Sequence, residues 1–226
     1  MDWATAIFPM ENRDAPTRFA RRVWRTQGVS APAMIAVAAP TWQMVFVQHS
    51  SGAQSIHVRG PETIATTVPI PRASEFLGIE FELGVFAPSL CLAALANDGL
   101  TVPVLSDRTC AMLGQKMEIP SFETADVFVD RLVRSGLLVC DAAIGQALAR
   151  QPLSLSDRSL QRRFIRATGQ TYGAIRQVAR AQRAADLLGQ GVSILEVVDR
   201  EGFSDQAHLT RSLKRFLGKT PRAIAR

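Results

Sequence analysis

The sequence lacks any long uninterrupted run of apolar residues. Although 47% of its 226 residues are hydrophobic, no stretch approaches the roughly 18 apolar residues that a membrane-spanning helix needs. Residues 1–14 carry an early acidic residue and no basic start before an apolar core, which is unlike a signal peptide. The sequence therefore predicts a cytoplasmic protein with no membrane partner.

Cysteine and histidine are scarce, with three of each. Cys91, Cys110 and Cys140 are odd in number and have no paired spacing, so neither a disulfide framework nor a zinc site is predicted. His49 and His57 are eight positions apart and lack the adjacent glutamate of a cupin-type metal site. We expect both histidines to be structural and predict no metal and no cofactor.

Residues 1–120 also lack the usual signatures of catalysis. They contain no glycine-rich phosphate loop, no recognisable Ser/His/Asp arrangement and no carboxylate pair with an assignable role. The sequence therefore predicts that the protein is not an enzyme. Two alternatives stay open for this half: a small-molecule barrel enzyme, or a protein-interaction module without a pocket, in either case fused to the second half.

Short segments of strand character occupy the first half. Met34–Val37 and Met44–Val47 are apolar runs, whereas Ser55–Arg59 and Phe76–Val85 alternate apolar with polar residues. Proline- and glycine-containing turns separate them, a pattern typical of a small all-β domain. The expected fold class is α+β, with a mostly β barrel or sandwich of cupin-like type over residues 1–120.

The pattern changes to helical spacing after residue 120. Ser121–Leu138 predicts an amphipathic connecting helix, with Gly136 marking its end. Cys140–Arg150 predicts a second helix that Pro152 terminates. Residues 139–226 are then expected to form an all-α domain.

The net charge changes at the same place. Residues 1–138 carry 11 Lys/Arg and 13 Asp/Glu, a balance of −2, whereas residues 139–226 carry 15 Lys/Arg and 7 Asp/Glu, a balance of +8. A basic domain beside a mildly acidic one is typical of a DNA-binding module joined to another domain, because neutralising phosphates drives affinity for DNA. A merely solvated basic surface is the alternative.

Ser193–Pro221 contains the clearest motif of the chain. Ser193 and Glu196 form a capping-box pattern at one helix start, Gly202 marks a turn, and Ser204 is expected to cap the next helix. In that helix, the apolar side chains at positions 209, 213 and 216 fall on one face and the charged ones on the other. This arrangement predicts a helix-turn-helix; an ordinary helical hairpin with a solvated charged face is the alternative.

The same segment resembles the signature of the AraC/XylS family of bacterial transcription regulators. The matching residues are Gly202, Phe203, His208, Arg211, Phe216, Gly218 and Pro221. Ser154–Gly169 resembles the first recognition helix of that family, although the helix upstream is shorter and is followed by a proline. Thr171–Leu188 is similar to the family's spacer helix, which holds two recognition helices on one face of the duplex.

The resemblance implies a double helix-turn-helix that reads double-stranded DNA at successive major-groove segments. The expected base-contacting residues are Arg158, Gln161, Arg162, Asp205, Gln206, His208 and Arg211. The expected phosphate-contacting residues are Arg166, Arg176, Arg180, Arg183, Lys214, Arg215 and Lys219. For the arginines of the spacer helix a solvated face is the alternative, and the first module is expected either to read bases or only to grip phosphate.

The resemblance also implies a division of labour. Residues 1–120 are expected to sense a small-molecule effector or to form a homodimer, residues 121–138 to connect, and residues 139–226 to bind promoter DNA. RNA polymerase is a further partner that the family implies. The effector and the promoter are not encoded in any motif of the sequence.

Overall fold

The computed structural model describes residues 10–15, 17–26, 33–70 and 73–225. Most of residues 1–14, which were compared above with a signal peptide, therefore lie outside the described residues. Strands fill the first half of this part and helices the second. The strands are β1 Met10–Asp14, β2 Ala20–Thr26, β3 Ala33–Ala36, β4 Gln43–Gln48, β5 Gln54–Arg59, β6 Thr66–Pro69, β7 Glu75–Phe81, β8 Val85–Phe86, β9 Gly99–Val102, β10 Val104–Ser106, β11 Thr109–Met112, β12 Gln115–Glu118 and β13 Val139–Cys140. The predicted α+β class, strands before helices, is confirmed.

Six strands form one antiparallel sheet in the order β1-β2-β7-β4-β5-β9. Because side chains alternate across a strand, Met44 and Phe46 of β4 and Ile56 and Val58 of β5 all point to the buried side. Three smaller sheets complete the strand region: β10-β11-β12, β8 with β13, and β3 with β6. We call the last pair the ribbon.

Seven helices lie in the described part of the chain: α1 Ala125–Arg134, α2 Ala142–Leu148, α3 Asp157–Thr168, α4 Tyr172–Gly189, α5 Ile194–Arg200, α6 Gln206–Leu217 and α7 Pro221–Ile224. The helix α1 is shorter than the predicted 121–138. Its start is delayed because the Ser121 backbone N–H donates to Thr124 Oγ1 at 2.9 Å, which folds the preceding residues into a turn. None of these helices is long and apolar enough to cross a membrane.

The larger of two apolar cores joins the strand region to the first helices. It contains the buried face of the six-stranded sheet together with Phe128 and Leu132 of α1. Ile144 of α2 and Phe164 of α3 lie in the same core and are both fully buried. The first pair of helices after residue 139 is therefore packed onto the strands.

The second core belongs to the last four helices. Val178 and Leu188 of α4 pack with Val197 of α5 and with Leu209 and Leu213 of α6. From the strand region, Ala38 enters this core and is fully buried, and Val37 packs against it. The domain limits predicted at residues 120 and 139 stay a prediction, since the two cores are divided along α4 and both contain residues from before and after those limits.

Candidate nucleic-acid interface

The helix α3 presents a basic and amide-bearing face. Ser156 caps its start, with Oγ accepting from the Ser159 backbone N–H at 3.3 Å. Phe164 and Ala167 hold the opposite face in the larger core. The predicted contact residues on the outer face are all exposed: Arg158, Gln161, Arg162 and Arg166. The first three lie in the first half of the helix, which is the part that reaches base edges in a helix-turn-helix.

The N-cap of α6 lies one residue later in the chain than predicted. Its N-cap is Asp205 and not Ser204: the Asp205 carboxylate accepts from the His208 backbone N–H at 2.6 Å. Both residue types cap helices well, and here the Ser204 hydroxyl instead lies 3.2 Å from Asp205 Oδ2 and 3.1 Å from His208 Nδ1. The backbone N–H of His208 is the main reason why the pKa of Asp205 lies below its ordinary value.

Two of the predicted base-contacting residues thus build the start of α6. Asp205 serves as the cap, and His208 packs edge-on against the Phe203 ring, with ring centroids 5.2 Å apart. Gln206 and Arg211 are exposed on the outer face. The phosphate candidates Lys214 and Arg215 are exposed as well, and Lys219 is half-buried.

The three arginines predicted on the spacer helix lie on α4, but they differ in their surroundings. Arg176 is exposed, with its guanidinium 5.6 Å from the Tyr172 ring centre. Arg180 donates to the Gly202 carbonyl at 3.3 Å and lies over the Phe203 ring. Arg183 pairs with Glu201 at 2.9 Å. The last two therefore tie α4 to the turn between α5 and α6.

Sequence reasoning missed several residues that position these faces. Arg163 pairs with Asp141 at 2.9 Å, and Asp141 also accepts from the Ala143 backbone N–H to cap α2. This pair joins the two helices of the first module across 22 residues of sequence. The one signal in the sequence was the acidic residue Asp141 at the start of α2, which has no basic residue at helical spacing to pair with.

The histidines of the strand region are engaged with neighbouring hydroxyl groups. His49 Nε2 and His57 Nε2 lie 3.0 and 3.1 Å from the same Ser55 Oγ. Burial lowers the pKa of His57, and the charge of Arg59 lowers it further. Within the described residues, no group of three or more His, Cys, Asp or Glu side chains could hold a metal ion.

A cleft of about 310 Å³ opens between the six-stranded sheet and residues 119–123. Phe46, Ile56 and Phe122 supply its apolar walls and Arg25 lies at its edge. Gln54 also lines it: its Nε2 donates to Gln48 Oε1 at 2.8 Å, whereas its own Oε1 is buried without a hydrogen-bond partner.

Residues 142–217 form two helix pairs, α2 with α3 and α5 with α6, which α4 joins. Helices paired through a glycine-containing turn, as α5 and α6 are, are typical of a class of DNA-binding domain. Residues 150–226 match a family model described as a helix-turn-helix domain. The C-terminal part of this chain is therefore similar to AraC-type helix-turn-helix domains.

Two relatives carry the name HTH-type transcriptional regulator RipA. The one from Corynebacterium diphtheriae is 34% identical over 140 residues, which cover 62% of this chain and 36% of the relative. The one from Corynebacterium glutamicum is 30% identical over 162 residues, which cover 64% of this chain and 47% of the relative. The matched part of this chain thus spans less than half the length of either curated relative.

Among solved structures, ToxT from Vibrio cholerae is similar at a TM-score of 0.40 and 10% identity. The superposition covers 94% of this chain and 96% of ToxT.

Proposed function

We propose that this protein is a sequence-specific, DNA-binding transcription regulator that reads two successive major-groove segments with α3 and α6. The observation that carries the proposal is a repeated arrangement. Each of the two helices is capped at its start, buries one apolar face and exposes Gln and Arg side chains near its N-terminal end. Such side chains pair bidentately with adenine and guanine in the major groove.

The exposed residues sort into two kinds of contact. Gln161 is the fifth residue of α3 and Gln206 is the first residue of α6, and both side chains are exposed in the N-terminal half of their helix, which makes them the leading base readers. Lys214 and Arg166 lie further along their helices and suit phosphate contact. Base contacts set the preferred sequence, whereas phosphate contacts set the dependence of affinity on salt.

Selection of binding sites from a random duplex library, with the full chain at physiological salt, tests the proposal. We expect a motif of two short blocks about one helical turn, roughly 34 Å, apart. A single block would mean that only one helix reads bases. Recovery of no motif, with binding that fades steadily as salt rises, would contradict sequence-specific regulation.

The double variant Gln161→Ala/Gln206→Ala provides the decisive comparison. It should retain salt-dependent binding to any duplex and lose preference for both blocks. Arg134→Ala, on the exposed side of α1, is the matched control and should recover the wild-type motif.

We further propose that a small-molecule effector binds the cleft beside the six-stranded sheet. Its volume of about 310 Å³ lies in the range of ligand pockets. The unpartnered Gln54 Oε1 favours a ligand with a hydrogen-bond donor, because a buried acceptor without a partner costs free energy. The apolar walls favour a ligand with an apolar body.

Thermal shifts of the purified protein across a metabolite panel test the effector proposal. A ligand of this cleft should raise the Tm of the wild type and shift Gln54→Leu much less. Gln115→Leu, an exposed change on β12, should respond like the wild type. Equal shifts in all three proteins would place the ligand elsewhere.

The remaining partners follow from the regulatory role. We propose that the protein acts in the cytoplasm, where bacterial DNA lies, that it carries no catalytic activity, and that a homodimer or contact with RNA polymerase converts promoter occupancy into regulation. Sedimentation of the purified chain with and without a selected duplex tests the homodimer directly.

A further inference from the structure

A groove of about 490 Å³ lies between the end of α2 and the first three turns of α4. Its lining is unusual because four arginines converge on it: Arg150, Arg176, Arg180 and Arg183. Leu148 and Tyr172 supply apolar walls between them. We call this site the arginine groove.

The arginine groove adjoins the turns that precede both recognition helices. Arg180 and Arg183 reach Gly202 and Glu201, which lie in the turn between α5 and α6. Arg150 lies between α2 and α3. Because a recognition helix turns its N-terminal end toward the base edges, a groove beside both of these ends faces the duplex that the two helices share.

The four arginines are not equivalent. The carboxylate of Glu201 neutralises the charge of Arg183, and Arg180 donates a hydrogen bond to the Gly202 carbonyl. Neither Arg150 nor Arg176 has an ion pair anywhere in the described ranges of the chain. These two guanidinium groups are therefore the ones available to an anionic surface.

The backbone conformation of Arg150 is a second observation that supports a functional role for its side chain. Arg150 has φ +54° and follows the last turn of α2, with its N–H donating to the Ala147 carbonyl at 3.1 Å. Glycine is the usual residue at such a left-handed helix end, and another residue type is strained there. The arginine at this position therefore has a strained backbone conformation and places its guanidinium group in the groove.

The shape of B-DNA identifies what these arginines meet. Two major-groove segments one turn apart on the same face are separated by about half a turn, where the minor groove faces the protein. A·T-rich tracts narrow the minor groove and deepen its negative potential, which attracts arginine. We propose that Arg150 and Arg176 enter the minor groove between the two blocks and make the protein prefer a narrow, A·T-rich spacer.

This inference rests on the proposed function and is tested separately from it. Three duplexes carry the same two selected blocks and differ only in the spacer, which holds A·T, G·C or inosine·C pairs. An inosine·C pair keeps the major-groove pattern of G·C but lacks the minor-groove amino group, as A·T does. We expect the wild type to bind the A·T and inosine·C spacers alike and the G·C spacer about tenfold more weakly.

Two variants assign the preference to the groove. Arg150→Gly should relieve the backbone strain, keep or raise the Tm, and reduce the spacer ratio to about twofold or less, so that loss of preference is not loss of folding. Arg176→Ala should reduce the same ratio, and Arg134→Ala should keep it at the wild-type value.

Each other outcome overturns the inference. Equal affinity for all three spacers, with the blocks still recognised, refutes minor-groove reading and leaves the proposed function intact. A preference that separates A·T from inosine·C, or that survives in Arg150→Gly and Arg176→Ala together, refutes the role of these arginines. Recovery of no two-block site refutes the inference and the proposed function at once.

Discussion

The two helix pairs that we propose as DNA-reading modules are held in different ways. The first, α2 with α3, contributes Ile144 and Phe164 to the core of the strand region. The second, α5 with α6, packs around α4 in a core of its own. The first module is therefore an extension of the strand region, whereas the second is a separate unit attached to it.

Backbone hydrogen bonds supply the attachment of the second module. The Ala38 N–H donates to the Phe216 carbonyl and the Ala65 N–H to the Arg215 carbonyl, both at 2.7 Å. These carbonyls belong to the last turn of α6, where they have no partner within the helix. Gln182 of α4 also donates to the Ala38 carbonyl at 3.1 Å. Segments beside the ribbon thus cap the C-terminal end of α6 and attach the second module to the strand region.

The largest effect should come from breaking one core at a time. Phe164→Ala should cost about 3–5 kcal/mol and Leu213→Ala about 2–5 kcal/mol of unfolding free energy. Both side chains are fully buried, but only Phe164 lies in the core that includes the sheet. Hydrogen exchange should therefore show lost protection in the strands for Phe164→Ala and not for Leu213→Ala.

Arg158→Ala, an exposed change on the same helix as Phe164, is the control and should leave protection unchanged. If Leu213→Ala exposed the strands as much as Phe164→Ala did, the two modules would share one cooperative unit and the comparison would fail.

A smaller difference is expected at the glycines that end the two recognition helices. Gly169 and Gly218 have the same φ of +69°, so alanine at either is strained by about 1–2 kcal/mol. At Gly169 an added Cβ would lie 2.7 Å from the Leu92 carbonyl carbon, whereas at Gly218 it would lie 3.1 Å from Ile35 Cγ2. Since backbone yields less than a side chain, Gly169→Ala should lower the unfolding free energy more.

Chemical denaturation of the two variants measures this difference. Gly173→Ala is a suitable control, because Gly173 lies inside α4 with nothing within 4 Å of an added Cβ, and alanine there should stabilise slightly. Equal losses at Gly169 and Gly218 would mean that both modules fit the strand region equally tightly.

Base reading offers a third contrast between the modules. Gln161→Ala and Gln206→Ala should each relax preference at one base position, by about 1–3 kcal/mol of discrimination, with little change in the salt slope of binding. Site selection with each variant measures the effect. If Gln161→Ala leaves the selected motif unchanged while Gln206→Ala alters it, the first module grips phosphate only, and the two modules differ in chemistry as well as in attachment.

Local features of this arrangement were predictable from sequence and long-range ones were not. Ser193 caps its helix as predicted, because a cap depends on a residue and the three that follow it. The cap of α6 was misplaced by one residue because Ser204 and Asp205 are adjacent and both are good caps. The bond from Ala38 to Phe216 joins backbone atoms far apart in the chain, and no side-chain pattern encodes it.

The smallest predicted effect also separates the two modules, through their caps. Ser156 is uncharged, whereas Asp205 is an ionisable cap with a pKa below its ordinary value of 3.8. A carboxyl whose pKa is lower in the folded state stabilises fully above the unfolded pKa, and that contribution is lost as pH falls through the folded pKa. The difference in unfolding free energy between wild type and Asp205→Ala should therefore be present at neutral pH and shrink below about pH 4.

The gap for Ser156→Ala, which is the corresponding difference in unfolding free energy, should stay constant over that range. Thermal unfolding of the three proteins between pH 3 and 7 measures both gaps, and a gap for Asp205→Ala that persisted unchanged at pH 3 would show that the hydrogen bond to His208 acts without the charge.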